Sequence, residues 1–154
     1  MGLVAEVTRD RRGPSFMFRG VVGFEWTRVR APVPGLAREL EGFRFIHLSD
    51  LHLRSYWSRG YNDLIDAVER SAADLLLITG DFIDNKHDFR GGLRQLERLL
   101  PRLKSRLGMY GILGNHDVDL VQPYIRSMGV NLINGGRVVL GSGGSKLELI
   151  GFPG

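Results

Sequence analysis

Three short polar clusters hold the residues of this sequence that are best suited to chemistry. The clusters are Ser49-Asp50-Leu51-His52, Gly80-Asp81 and Gly114-Asn115-His116-Asp117. Aspartate oxygens, imidazole nitrogens and an asparagine carbonyl oxygen are ligands for divalent ions such as manganese, iron or zinc. Asp50 and His52 are one residue apart and can reach one ion from a loop, whereas the carboxylate of Asp81 can bridge two ions. Each cluster alone is more typical of a turn or a helix cap, but the three in order predict a metal site.

The segments before the clusters predict the elements that position them. Apolar, β-prone runs at 43–48, 74–79 and 109–113 each end at a cluster and indicate strands. Helical spacing of apolar residues marks 61–71, 93–107 and 118–128, with Pro101 and Pro123 expected to break or kink the last two. Short strands are predicted at 130–132, 136–140 and 146–151. The pattern is α/β: a β-α-β-α-β parallel core followed by short strands.

This order of elements brings the clusters together. In an open parallel sheet, the carboxyl ends of the strands lie along one edge, and ligands bind at that edge. Glycine before Asp81 and before Asn115 allows a sharp turn and a close approach of the backbone to a ligand. We therefore expect three groups that are distant in sequence to form one site.

Composition limits the classes of protein to which the chain can belong. With 154 residues, 43% hydrophobic and 25% charged, the chain has the size and balance of one globular domain. The absence of cysteine excludes disulfides, a thiolate metal site and a cysteine nucleophile. A net charge of +4 suits anionic partners, but basic and aromatic residues are not interleaved as in a nucleic-acid surface, so nucleic acid is not an expected partner.

The amino-terminal part differs from the rest of the chain. Residues 1–35 are rich in arginine, proline and glycine, and we expect an irregular basic segment there with one short strand at 24–29. Residues 36–154 form the expected domain. No stretch approaches the roughly 18 apolar residues of a transmembrane helix, so we expect a cytoplasmic protein or one peripheral to the membrane.

The clusters resemble the signature of the calcineurin-like metallophosphoesterases. That signature runs Asp-x-His, Gly-Asp, Gly-Asn-His-Asp/Glu, a lone His, and Gly-His-x-His; its first three blocks match the three clusters. Residues 33–44 and the phrase Phe45-Ile-His-Leu-Ser-Asp-Leu-His-Leu are similar to a bacterial branch of membrane-associated and lipid-headgroup phosphoesterases. The resemblance covers residues 24–151 and implies the amino-terminal half of an α/β sandwich of two sheets.

The resemblance also implies a role for each site residue. Asp50 and His52 would bind the first of two divalent ions (Mn, Fe or Zn), Asp81 would bridge both ions, and Asn115 would bind the second. His116 would be the catalytic histidine, with Asp117 orienting its imidazole. Asn115 and His116 would contact the substrate, a phosphate mono- or diester such as a lipid headgroup or nucleotide. His87 lies in a polar loop bordering the site and is a further candidate for substrate contact.

The second half of the signature is absent. The four histidines are residues 47, 52, 87 and 116, so neither the lone His nor Gly-His-x-His is present. We therefore expect a truncated phosphoesterase domain whose metal binding and hydrolysis are impaired. The alternative is an inactive remnant that acts, if at all, as an interaction module.

Overall fold

A four-stranded parallel sheet forms the centre of the computed structural model, which describes residues 6–12, 23–84, 89–142 and 144–152. Its strands are neighbours in the order in which they occur: β3 (Phe45–Leu48), β4 (Leu75–Thr79), β5 (Met109–Ile112) and β6 (Val130–Leu132). Three helices connect them: α1 (Arg59–Ser71), α2 (Phe89–Leu99) and α3 (Gln122–Ser127). Right-handed connections between sequential parallel strands place these helices on the same face of the sheet. The α/β class predicted from the sequence is confirmed.

The core lies between that face of the sheet and the helices. Residues on alternate positions of the strands, such as Ile46, Leu76 and Ile78, pack with the apolar side of α1 and α2, where Val68 and Leu96 are fully buried. Ser58 caps α1, since its hydroxyl accepts a hydrogen bond from the amide of Gly60 at 3.3 Å. These contacts fix the strand ends from which the three polar clusters extend.

Proline determines the bounds of the other two helices. The α2 helix ends at Leu99, and a 3₁₀ turn (Leu100–Arg102) with Pro101 follows it, so the helix predicted over 93–107 begins earlier and ends sooner. A 3₁₀ turn (Asp119–Val121) precedes α3, in which Pro123 lies in the first turn. Proline is tolerated there because the first amides of a helix have no partner within the helix.

Two further antiparallel sheets contain two strands each. β1 (Glu6–Arg12) pairs with β2 (Phe24–Arg30), and β7 (Arg137–Ser142) pairs with β8 (Ser145–Ile150). The strand expected at 24–29 is present, but the segment expected to be irregular also contains β1. Its charged sequence lacks the apolar alternation that marks a strand, and pairing with β2 supplies its backbone hydrogen bonds. The division of the chain at residue 35 stays a prediction.

The second face of the parallel sheet is partly open among the described residues. Phe45 is 61% exposed, and His47 and Thr79 are exposed beside it, joined by a 2.6 Å hydrogen bond between Nε2 and Oγ1. In the part of the chain that the structure describes, no helix is long and apolar enough to cross a membrane.

Asp74 links three chain segments at the amino-terminal ends of the strands. Its carboxylate accepts hydrogen bonds from the amide of Arg44 at 2.9 Å and from Nε of Arg106 at 2.8 Å. Burial acts to raise the pKa of Asp74, but these hydrogen bonds and the two positive charges outweigh it, so the pKa lies below its ordinary value. This carboxylate joins the segments that precede β3, β4 and β5.

Candidate metal centre

The candidate metal centre is built on two loops that pair with each other beyond the ends of β3 and β4. The amide of His52 donates to the carbonyl of Asp81 at 2.8 Å, and that of Leu53 donates to Phe82 at 3.0 Å. Leu53 forms a parallel bridge with Ile83, which keeps the 30-residue offset seen where Phe45 pairs with Leu75. The two loops therefore continue the pairing register of β3 and β4 beyond the ends of these strands.

Three residues of these loops have left-handed backbone conformations. The φ angles are +56° at Asp50, +40° at His52 and +53° at Asp81, and the fourth such non-glycine residue in the described part is Ala72, which caps α1. L-residues avoid this region, and non-glycine residues held there concentrate at functional sites. The backbone at the strand ends is thus strained at the candidate ligands.

The side chains of the same three residues converge. Asp50, His52 and Asp81 each offer one ligand atom, and these atoms all lie within 4.8 Å of one another. Nε2 of His52 lies 3.7 Å from Oδ1 of Asp50 and 3.7 Å from Oδ2 of Asp81. These distances are too long for hydrogen bonds. They leave room for a cation between two carboxylates and one imidazole.

The donor set fits a divalent ion. Ligand atoms about 2.0–2.2 Å from a zinc-like ion are roughly 3–3.5 Å apart. The two 3.7 Å separations from His52 therefore need to close by only a few tenths of an ångström. Asp50 is 67% exposed and can move, whereas Asp81 is only 15% exposed. The structure therefore brings together the three residues that the sequence assigned to the first ion and the bridge.

Asp84 joins the site and was not identified from the sequence. Its Oδ1 lies 3.6 Å from Nδ1 of His52, a buried nitrogen that has no hydrogen-bond partner among the residues that the structure describes. Its Oδ2 pairs with Nε of Arg54 at 3.0 Å. The sequence signal is faint: Arg54 and Asp84 have opposite charges and are separated by the 30-residue strand offset. Reading that signal requires the register, which only the structure gives.

His116 lies beside this group. Its amide donates to Oδ1 of Asp81 at 3.0 Å, and its Nδ1 is 3.4 Å from the carbonyl oxygen of Asp84. Its ring stands edge to face with His52, with centroids 5.0 Å apart. Both His116 and its neighbour Asn115 are exposed. The third cluster thus reaches the other two, as predicted, while His87 lies outside the described residues.

Asp117 contacts backbone amides. Oδ2 accepts from Gly114 at 3.0 Å, and Oδ1 accepts from Ile83 at 3.3 Å. Burial raises the pKa of Asp117 above its ordinary value, the amide hydrogen bonds oppose that effect, and the charge of Asp81 adds to it. The carboxylate therefore braces the third loop against the second. Its predicted role of orienting the His116 imidazole stays a prediction.

Two glycines permit this close approach of the loops. Gly80 has a φ of +84°, and a Cβ there would contact the backbone of Gly114. A Cβ on Gly114 would lie 2.6 Å from the amide nitrogen of Asp81 and would also contact its carboxylate. Atoms cannot approach this closely, so each motif requires glycine before its acidic or amide ligand.

Comparison with known proteins gives a family match over most of the chain. A family model described as calcineurin-like phosphoesterase matches residues 43–152. An uncharacterized metallophosphoesterase, YkoQ of Bacillus subtilis, is 31% identical over 108 residues, which cover 70% of this chain and 39% of that protein. The matched region contains all three polar clusters.

Two other relatives belong to different kinds of protein by their names. A transmembrane protein with metallophosphoesterase domain from Danio rerio is 34% identical over 90 residues, covering 58% of this chain and 20% of that protein. The UDP-2,3-diacylglucosamine pyrophosphatase LpxG of Chlamydia muridarum is 33% identical over 92 residues, covering 59% and 27%. The chain therefore matches less than two fifths of the length of each of these three relatives.

Proposed function

The chain belongs to the calcineurin-like phosphoesterase family, and we propose that it binds divalent metal ions and hydrolyses a phosphate mono- or diester. The observation that carries this proposal is the convergence of Asp50, His52 and Asp81, whose ligand atoms lie within 4.8 Å of one another. Two carboxylates and a neutral imidazole suit Mn, Fe or Zn.

These residues divide into ligands and supports. Asp50, His52 and Asp81 would hold the first ion, and Asp81 with Asn115 would hold a second. Divalent ions at such a site activate water for attack and offset the negative charge that develops on phosphate oxygens. Asp84 lies on the other ring nitrogen of His52, the position from which a carboxylate fixes the orientation of a ligating imidazole.

His116 would act directly on the substrate. If its Nδ1–H donates to the carbonyl of Asp84, 3.4 Å away, Nε2 is left to contact the ester. A protonated imidazole at that position can donate a hydrogen bond to a phosphate oxygen or a proton to the leaving oxygen. The hydrogen bond between its amide and Asp81 links the position of this histidine to that of the metal ligand.

Two observations favour an anionic substrate with a lipid-linked phosphate. The net charge is +4, and one relative, LpxG, is named a UDP-2,3-diacylglucosamine pyrophosphatase. We propose a phosphate ester of a lipid headgroup or a nucleotide as the substrate class.

We expect this chain to bind metal ions more weakly than family members that carry the complete set of ligands. The candidate group among the described residues contains one imidazole, and no histidine follows residue 116. Few protein ligands leave an ion weakly held, so we propose that hydrolysis by this chain is impaired and requires added metal.

The test is hydrolysis of bis(p-nitrophenyl) phosphate by the purified chain with added Mn²⁺, together with elemental analysis after gel filtration. We expect Mn²⁺-stimulated turnover that His116→Ala abolishes and Asp81→Asn reduces at least about 100-fold. Asp66→Asn, an exposed change on α1, is the matched control and should retain activity. Absence of both turnover and retained metal would overturn the proposal in favour of an inactive remnant that acts as an interaction module.

A further inference from the structure

Two arginines share one tryptophan close to the candidate metal centre, and we propose that they bind a phosphate group at a second site that requires no metal. The guanidinium carbon of Arg98, on α2, lies 4.3 Å from the centroid of the Trp57 ring. That of Arg102 lies 5.9 Å from the same ring. Both arginines are exposed, and Trp57 is half-buried. The arrangement gathers two positive charges on one rigid aromatic support.

The charges of this arginine pair are not balanced by an acid within the described part of the chain. Nη1 of Arg98 donates to Oε1 of Gln95 at 3.3 Å, and Nη1 of Arg102 donates to Oδ1 of Asn62 at 3.4 Å. Both partners are neutral amides. Ion pairs with acids are formed by other arginines of the described residues, among them Arg54, Arg106 and Arg137. An anion that contacts both guanidinium groups would offset their positive charges.

The support holds the arginines in a suitable orientation. A guanidinium that stacks on an aromatic ring keeps its in-plane N–H groups free, and these match the oxygens of a phosphate. Trp57 is itself fixed, because Nε1 donates to Asn62 at 3.3 Å and its ring packs edge-on against Tyr61 with centroids 5.2 Å apart. Since Arg98 covers the face of the indole, that face is not free to stack with a nucleobase, and a small phosphate is favoured over nucleic acid.

The pair lies near the loop that carries His52. Trp57 lies five positions after His52, so their Cα atoms are at most about 18 Å apart. Nε2 of Gln95 donates to the carbonyl of Ser55 at 3.3 Å, which ties α2 to the same loop. Arg54, in between, contacts Asp84 at the metal centre. A second phosphate of the proposed substrate, a free phosphate or a lipid headgroup could each supply the group that binds.

The test monitors Trp57 fluorescence in the Trp26→Phe background, which leaves Trp57 as the one tryptophan of the chain. The chain is titrated with inorganic pyrophosphate in EDTA at constant ionic strength. We expect a saturable change in emission. Arg98→Gln and, separately, Arg102→Gln should each raise the dissociation constant at least about tenfold, which corresponds to ~1.4 kcal/mol. Arg94→Gln, an exposed change on the same helix, should alter it by less than about twofold.

Each outcome bears on the second site alone, because EDTA removes any metal and the metal centre takes no part. A response that fails to saturate, or one that Arg98→Gln and Arg102→Gln leave unchanged in folded chain, overturns the proposal. Co-sedimentation with vesicles of phosphatidylglycerol and phosphatidylcholine separates the sources. Binding of both probes, each lost in Arg98→Gln, supports a lipid headgroup; binding of pyrophosphate alone supports a free phosphate or a second substrate phosphate. Binding of vesicles alone overturns the site in favour of a general basic surface.

Discussion

The strained backbone at Asp50 gives a prediction in which glycine stabilises the fold relative to alanine. Asp50 has a φ of +56°, its side chain is 67% exposed, and its carboxylate lies 3.7 Å from His52. Asp50→Gly and Asp50→Ala both remove that carboxylate, so the loss of its interactions is common to the two variants. The difference between their free energies of unfolding therefore measures the cost of the left-handed backbone conformation at residue 50.

The expected stability difference between Asp50→Gly and Asp50→Ala follows from two opposing free-energy costs. A left-handed conformation costs an L-residue with a Cβ about 1–2 kcal/mol, whereas the greater freedom of glycine in the unfolded chain costs about 0.4–1 kcal/mol. We therefore expect Asp50→Gly to be more stable than Asp50→Ala by about 0.5–1 kcal/mol. Asp66, exposed within α1, provides the control: there Asp66→Gly should be less stable than Asp66→Ala by about 1 kcal/mol.

The assay is urea denaturation followed by far-UV circular dichroism in EDTA, with the four variants compared at a common slope. The sign of the glycine–alanine difference should reverse between residues 50 and 66. If the Asp66 pair behaves as expected while Asp50→Ala equals or exceeds Asp50→Gly in stability, the reasoning about backbone strain at the candidate ligands is refuted. Both Asp50 variants should also retain less Mn²⁺ than the unaltered chain.

Three other changes test the contacts around the sheet. The pKa of Asp74 is lower in the folded chain than in the unfolded chain, where it is near 3.9. The contribution of its carboxylate to stability is therefore present above about pH 3.9 and is lost as the pH falls through the folded pKa. Asp74→Asn should accordingly lower the unfolding midpoint at pH 7 much more than at pH 3. Burial raises the pKa of Tyr61 to about 12, and its buried hydroxyl has no hydrogen-bond partner within the described part of the chain. Tyr61→Phe should therefore raise the free energy of unfolding by about 1 kcal/mol at pH 7. An unchanged or lower free energy of unfolding in the variant would show that the hydroxyl is satisfied. Gly114→Ala should destabilise the chain by about 1–3 kcal/mol in thermal unfolding and weaken Mn²⁺ retention, because the new methyl group meets the backbone of Asp81. Gly141→Ala, where a Cβ meets nothing within 4 Å, should change stability by less than about 0.5 kcal/mol.

Local pattern was sufficient to predict the order of the elements of the parallel sheet and most residues of the candidate site, Asp84 excepted. Strands at 45–48, 75–79 and 109–112 follow from short apolar runs that end at glycine or a polar cluster, and α1 follows from apolar residues at helical spacing. The strand at 6–12 was not predictable in this way, because its charged residues carry no apolar alternation and its existence depends on the pairing with β2.

The sequence by itself determined the family and the α/β core, and it singled out Asp50, His52, Asp81 and His116 as candidates, since these depend on residue type and spacing along the chain. Tertiary structure decided what depends on register between distant segments. The 30-residue offset between β3 and β4 brings Asp84 to His52 and Arg54, and the packing of α2 against residues 54–57 brings Arg98 onto Trp57. No local pattern fixes such offsets, because they result from how the whole apolar core closes.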